Sequence, residues 1–254
     1  MSEQPLNENE NSQGNWPRTS WSRLDLLGVD QEDSTHKIYE ELISRYWPAV
    51  YSYIRKTGRS HDQASDLTQG FICDVVLGRQ LFHAASRDRG RFRSLLLTAL
   101  KNYIVERHRY ETRVRRGGRA VLLSFDLVEQ NTAPSRAATS PEQAFQIEWA
   151  GSLIRHVLDK CQQSCRDDGL SSHWEIFEAR VVRPAMTGDL PLGYETLINR
   201  FGLPDVSQAA NMMVTAKRRF ARCLQDEISA TVEEPMAAPL ELDGLLLALE
   251  GRSS

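Results

Sequence analysis

The chain has 254 residues, of which 41% are hydrophobic and 26% charged, and its formal net charge is −3. This length and composition allow a substantial core in one or two domains. No run of about 18 apolar residues occurs, so no membrane-spanning helix is expected, and the first residues lack the basic and apolar regions of a secretory leader. The four cysteines are too few for a disulfide framework, which predicts a cytoplasmic protein.

In chain order, residues 1–15 are rich in Asn, Gln and Glu and are predicted to form a disordered arm. Apolar residues then recur at helical spacing. Pro48 is expected to start a second segment or to kink the first helix, and Gly58 to stop it. Ser60 is the predicted N-cap of the next helix, which Gly78 would end. A loop around Gly90 precedes a long helix whose apolar face comprises Leu95, Leu96, Ala99, Leu100, Tyr103 and Ile104.

Helical periodicity fades over residues 121–139, where Ser, Thr, Ala and Pro predict a linker. It resumes with Ser140 as the predicted N-cap of a helix that would end at Gly169. Further on, the pattern predicts a helix, a tight turn at 202–204 and a second helix. The sequence therefore predicts an all-α fold with two small helical domains, 16–120 and 140–232, joined by a flexible linker and followed by an acidic, leucine-rich tail at 233–254.

Positive charge is concentrated between Arg87 and Arg119, where eleven Lys or Arg residues stand against three acids, a local excess of eight. The rest of the chain is consequently acidic. Such segregation is typical of a phosphate-binding face. Phe92, Tyr103 and Tyr110 lie among the arginines, and this interleaving suits exposed bases, which stack on aromatic rings and guanidinium planes. A solvated basic helix end without a ligand is the alternative interpretation.

The predicted helix-turn-helix is a second candidate nucleic-acid site. Its second helix would start near Asp205 or Val206 and expose Ser207, Gln208 and Asn211 early. Helix-turn-helix modules place this part of the second helix in the major groove, where Gln and Asn can pair with adenine edges. Phosphate anchors would follow at Lys217, Arg218, Arg219 and Arg222. Many helical hairpins have no DNA role, so the motif alone leaves its function open.

Two enzyme-like patterns are weak. His61, Asp62 and Asp66 resemble part of a metal-dependent phosphohydrolase site, but no further ligands are spaced suitably. The second pattern, His156, Cys161, Cys165 and His173, could suggest zinc, although a Cys-x3-Cys pair within one helix lacks the usual knuckle turn. We predict no catalytic residues, no metal and no cofactor.

The segments "RYWPAVYSYIRKTGRSHDQASDLTQGF" and "GRFRSLLLTALKNYIVERHR" resemble region 2 of the sigma-70 superfamily, in its extracytoplasmic-function (ECF) group. "YETLINRFGLPDVSQAANMMVTAKRRFARCLQDEI" is similar to region 4 of that group, with a divergent second helix. The resemblance covers about residues 16–120 and 140–232. It implies a sigma factor that binds core RNA polymerase and directs promoter recognition and transcription initiation.

The resemblance also implies site residues. The helix around "DLTQGF" would dock on the beta-prime clamp helices through Asp66, Leu67, Gln69, Phe71 and Cys73, with Leu67 and Phe71 mainly holding the core. Region 2 would capture flipped bases of the −10 element through Arg91, Phe92, Arg93, Lys101, Asn102, Tyr103, Arg107, Arg109 and Arg113. Region 4 would contact the beta flap and read the −35 element through Ser207, Gln208, Asn211, Lys217, Arg218 and Arg219. The linker would thread toward the polymerase cleft.

Other functions remain open at this stage. A helix-turn-helix regulator would bind duplex promoter DNA without polymerase, and a sigma-derived interaction module would bind a partner without promoter selectivity. The sequence identifies no promoter, inducing signal or anti-sigma factor, although the resemblance allows for such a partner. Regulation, if built in, is expected in the tail or in the N-terminal arm.

Overall fold

A computed structural model describes residues 32–77, 92–114, 138, 140–232 and 238–250. These residues are almost entirely helical and contain no β-strand. The all-α prediction is therefore confirmed for the described part of the chain. The arm at 1–15, the loop around Gly90 and nearly all of the predicted linker lie outside it.

The first helices follow the predicted pattern with one exception. Helix α1 spans Glu32–Lys56 and continues through Pro48, so of the two effects predicted for this proline the start of a second segment does not occur. Helix α2 spans His61–Phe71 and begins with a capping box, in which Ser60 and Gln63 each accept a hydrogen bond from the other's backbone N–H. It continues as a π-helical turn over Ile72–Leu77. Helix α3 spans Phe92–Val114.

The second half of the chain is built around one long helix. Helix α4 spans Pro141–Asp167, and its N-cap Ser140 accepts a hydrogen bond from the Gln143 backbone N–H, as predicted. Gly169 follows with a φ of 69°, a left-handed conformation that glycine adopts without steric cost. Short helices α5 (Ser171–Phe177) and α6 (Arg183–Thr187) come next, separated by a π-helical turn at Glu178–Val182.

A helix-turn-helix and a final helix complete the described chain. Helix α7 spans Tyr194–Phe201, and α8 spans Val206–Ser229. Gly202 lies between them with a φ of 62°, so the predicted turn at 202–204 is confirmed. Helix α9 spans Ala238–Glu250 and packs against α4 and α8.

One hydrophobic core joins parts of both predicted domains. Helix α4 packs along α1, and its buried side chains Phe145, Trp149, Leu153 and Val157 meet buried residues of α1, α2 and α3. Ile228 of α8 and two residues of α9, Leu245 and Ala248, close the same core. The two predicted domains are therefore in contact. Although the composition changes at residues 121–139, helices from both sides of this segment share one core.

Candidate nucleic-acid and polymerase interfaces

Helix α2 presents a polar stripe opposite its buried face. Burial of Ala64, Thr68 and Phe71 fixes the orientation of the helix, and the Thr68 hydroxyl donates a 2.7 Å hydrogen bond to the Ala64 carbonyl. The α2 stripe comprises Asp66, Gln69, Gly70 and Cys73. Asp66 and Cys73 are exposed, whereas Gln69 and Gly70 are half-buried. Of the two apolar residues assigned to polymerase docking, Phe71 is fully buried and Leu67 is partly buried against the core.

Gly70 of α2 lies directly against the side chain of Tyr103 on α3. A Cβ atom at this position would lie 2.4 Å from the Tyr103 hydroxyl oxygen, so only glycine fits without movement. Tyr103 packs edge-on against Phe71, with ring centroids 5.5 Å apart. Its hydroxyl accepts a 3.0 Å hydrogen bond from Arg107 Nε and lies 3.4 Å from an Asp74 carboxylate oxygen. Burial raises the pKa of Tyr103.

The predicted −10 residues on α3 divide into buried and exposed groups. Phe92, Arg93 and Tyr103 are buried, with 4%, 5% and 7% of their surfaces exposed. In this packing none of the three can stack on a flipped base or reach a phosphate. Asn102 and Arg109 are exposed. Arg91 and the side chain of Arg113 lie outside the described part of the chain.

Two further predicted −10 residues form ion pairs near the surface. Lys101 Nζ lies 2.8 Å from Glu142, and Arg107 Nη2 lies 2.8 Å from Asp74, with all four side chains about half exposed. The hydrogen bond from Lys101 lowers the pKa of Glu142. Exposed pairs of this kind contribute roughly 0–1 kcal/mol. A phosphate could therefore replace either carboxylate at little cost.

Arg93 is enclosed by three partners. Its guanidinium lies 4.1 Å from the centroid of the Trp149 ring and donates hydrogen bonds to Gln146 and to Glu241 of α9. The bond to Glu241 is 2.8 Å long, and the side chains of Arg93 and Glu241 are 6% and 0% exposed. The tail helix thus contacts a residue that the sequence assigned to DNA.

The helix-turn-helix exposes the start of its second helix. Asp205 caps α8 by accepting a 2.8 Å hydrogen bond from the Gln208 backbone N–H. Leu197 of α7 and Met212 of α8 are buried against α5 and the following turn, which turns the opposite side of α8 outward. The predicted base-reading residues are all exposed: Ser207, Gln208 and Asn211.

The basic residues further along α8 are not equivalent. Lys217, Arg218 and Arg222 are exposed. Arg219 instead bonds to the end of α4, where its Nη1 donates to the Ser164 carbonyl at 2.9 Å and to the Asp168 carboxylate. Arg219 therefore joins two helices in this structure rather than extending toward solvent as a phosphate anchor.

A buried carboxylate that the sequence analysis missed connects three helices. Glu227 of α8 pairs with the buried Arg45 of α1 and, on α4, with Lys160 at 2.9 Å and His156 at 3.5 Å. Although burial alone would raise the pKa of Glu227, attraction to Arg45 and the hydrogen bond from Lys160 outweigh it and lower the pKa. Because these partners are distant in sequence, no local pattern could have indicated the cluster.

The enzyme-like patterns gain no support from the geometry. His61 bonds to the Tyr51 hydroxyl at 2.6 Å, and no group of His, Cys, Asp or Glu in the described ranges could hold a metal ion. Cys161 and Cys165 are fully buried. Burial and the neighbouring thiols raise the pKa of Cys161 to about 12, which opposes the thiolate that zinc requires. No described helix is long and apolar enough to cross a membrane.

Comparisons with known proteins found no matching family model, no matching curated protein and no matching solved structure.

Proposed function

We propose that this protein is an ECF-type sigma factor that binds core RNA polymerase and directs it to promoters. The observation that carries the proposal is the helix-turn-helix at 194–229, where the resemblance requires it, with Ser207, Gln208 and Asn211 exposed at the start of α8. Such a helix start can enter the major groove and read base edges at the −35 element. The beta flap would contact the same segment.

The α2 stripe supplies the proposed polymerase contact. Asp66 is exposed on a helix whose other face is firmly buried, so its charge is available to basic residues of the beta-prime clamp helices. Gln69 and Cys73 would lie beside it, while Leu67 and Phe71 maintain the orientation of the helix. At Gly70 the Tyr103 hydroxyl of α3 occupies the space that a side chain would take, so Tyr103 borders the stripe there.

For the −10 element, the exposed residues of α3 are the proposed first contacts. Asn102 and Arg109 are exposed, and Lys101 and Arg107 could exchange their surface carboxylates for phosphates. Phe92, Arg93 and Tyr103 could take part only after the packing around them changes. The two-domain sigma arrangement, with a linker leading to the polymerase cleft, belongs to the same proposal.

A sigma-derived interaction module is the second candidate. It is favoured by the burial of Phe92, Arg93 and Tyr103 and by the attachment of Arg219 to Asp168, which together remove four predicted DNA contacts from the surface. Such a module would bind polymerase or another partner without selecting promoters. A regulator that binds duplex DNA alone would also retain the exposed start of α8.

The proposal is tested by measuring binding to bacterial core RNA polymerase and to a promoter DNA library. Wild-type protein should bind core, and promoter selection should require both components together. Asp66→Lys should weaken core binding at least tenfold, whereas Asp159→Lys, the same reversal at an exposed site on α4, should not. Promoter binding without core would favour the regulator, and core binding without promoter selection would favour the interaction module.

A further inference from the structure

Helix α9 places the carboxylate of Glu241 against Arg93 of α3. Glu241 is completely buried and pairs with Arg93, 148 positions earlier in the sequence. Gly244, one helical turn further, lies so close to the same guanidinium that a Cβ atom would be 2.7 Å from Arg93 Nη2. Glu241 and Gly244, about one turn apart on the same side of α9, thus both lie against the Arg93 guanidinium.

Besides this ion pair, α9 packs on the common core through only part of its surface, with Ala238 and Leu249 partly buried against that core. Leu245 and Ala248 are buried in the common core, whereas four leucines of the helix are exposed: Leu240, Leu242, Leu246 and Leu247.

A buried ion pair is a weak means of holding a helix in place. Each charge loses its hydration on docking, and the attraction between them roughly offsets that loss. When α9 leaves, Arg93 and Glu241 both become hydrated again. A nucleic-acid phosphate could then take the place of the Glu241 carboxylate, since arginine binds the two anions with the same paired N–H groups.

We propose that α9 is a displaceable cover, in which Glu241 occupies the phosphate-binding guanidinium of Arg93 until single-stranded nucleic acid competes for it. This inference rests on the proposed function, because it assumes that α3 binds nucleic acid. The apparent affinity for single strands is the affinity of the open form multiplied by the fraction of molecules in which α9 is displaced. Raising that fraction raises affinity without adding a contact.

The test uses the full chain and a fluorescein-labelled single-stranded DNA oligonucleotide, with binding followed by anisotropy. Glu241→Gln keeps the shape of the side chain but leaves Arg93 without a counter-charge, and it should tighten binding about tenfold. Asp243→Asn is the matched control, because it removes the same charge from an exposed position on the same helix. It should change the dissociation constant less than twofold.

A steric variant opens the cover without changing charge. Gly244→Ala places a methyl group against Arg93 and should tighten binding in the same direction as Glu241→Gln. In both variants, hydrogen exchange of the α9 backbone amides should accelerate without DNA, while exchange in α4 should not. Adding Arg93→Gln to Glu241→Gln should abolish the gain in affinity, because the guanidinium that would bind the phosphate is then missing.

Several results would overturn the proposal. Equal tightening by Glu241→Gln and Asp243→Asn would show only a general effect of charge, and unchanged α9 exchange would show that no cover opens. Faster exchange without tighter binding would show that α9 does not compete with nucleic acid. If wild-type protein nevertheless selects promoters with core polymerase, these results reject the role of α9 and leave the proposed function standing. If no variant binds DNA with or without core, the proposed function fails as well.

Discussion

At the scale of single residues, Gly70 and Tyr103 form a tightly fitted contact between α2 and α3. Gly70→Ala would gain up to about 1 kcal/mol in helix propensity. However, its methyl group would meet a hydroxyl that is held by Arg107 and packed beside Phe71. We expect a net loss of about 1–3 kcal/mol in the free energy of unfolding, measured in urea.

Two further variants check this steric explanation. Gly193→Ala is a control for a methyl group without a steric contact, because a Cβ there meets nothing within 4 Å; since Gly193 is the N-cap of α7, alanine should cost no more than about 1 kcal/mol there. Tyr103→Phe removes the hydroxyl, so Gly70→Ala should cost less in that background than in the wild type. An equal cost in both backgrounds would contradict the explanation.

Glu227 gives the folded state a defined pH dependence. Its pKa is lowered in the folded protein by Arg45 and Lys160, which outweigh burial. The ionised carboxylate therefore stabilises the fold fully above its unfolded pKa of about 4.3, and this stabilisation is lost as pH falls through the lower folded pKa. Glu227→Gln should cost roughly 3–5 kcal/mol at pH 7, because it removes the carboxylate of a buried ion pair with Arg45.

The difference between Glu227→Gln and wild type should shrink as the pH is lowered from 5 toward 3, measured by urea unfolding at each pH. Asp226→Asn removes a neighbouring exposed carboxylate and serves as the control, with little effect at any pH. A deficit for Glu227→Gln that stays constant down to pH 3 would show that the carboxylate is not held ionised by its partners.

At the scale of elements, the exposed start of α8 is the segment proposed to read bases. If this protein directs core polymerase to promoters as proposed, Asn211→Ala should weaken promoter binding by their complex by about 1–3 kcal/mol and relax base preference at one −35 position. Gln225→Ala removes an amide from an exposed position near the other end of α8 and should have no such effect. Equal losses for both variants would argue against base reading by Asn211.

Most helices were predictable because local rules determine them. Ser60, Ser140 and Asp205 cap helices by bonding to nearby backbone N–H groups. Gly202 ends α7 because its left-handed φ suits glycine. Helix α1 continues through Pro48 and packs along α4, so this proline does not start a second segment. The π-helical turns after α2 and α5 have no comparable signal in the sequence.

The sequence could not indicate which aromatic and charged side chains are buried. Phe92 and Tyr103 were assigned to DNA because aromatic residues among arginines are typical of base-stacking surfaces, but both are buried in the core. The pairs Arg93–Glu241 and Arg45–Glu227 join residues far apart along the chain. Only the packing of α1, α3, α4, α8 and α9 together brings these charges into contact.

At the scale of the whole molecule, the common core predicts that both halves of the chain unfold together. Leu153→Ala, in the middle of α4 and fully buried, should cost about 2–5 kcal/mol. It should accelerate hydrogen exchange in α3 and in α8 alike. Leu190→Ala is the control, since Leu190 is 92% exposed. Faster exchange in only one of the two helices would indicate separately packed bodies.

The central claim is that this chain gives RNA polymerase its choice of promoter, and run-off transcription with mapped start sites tests it most directly. Core polymerase would be supplied with a promoter library and with either wild-type protein or Asp66→Lys. Wild-type protein should give start sites downstream of a shared −10/−35 pattern, and Asp66→Lys should abolish them. Start sites that are the same with and without the protein would contradict it.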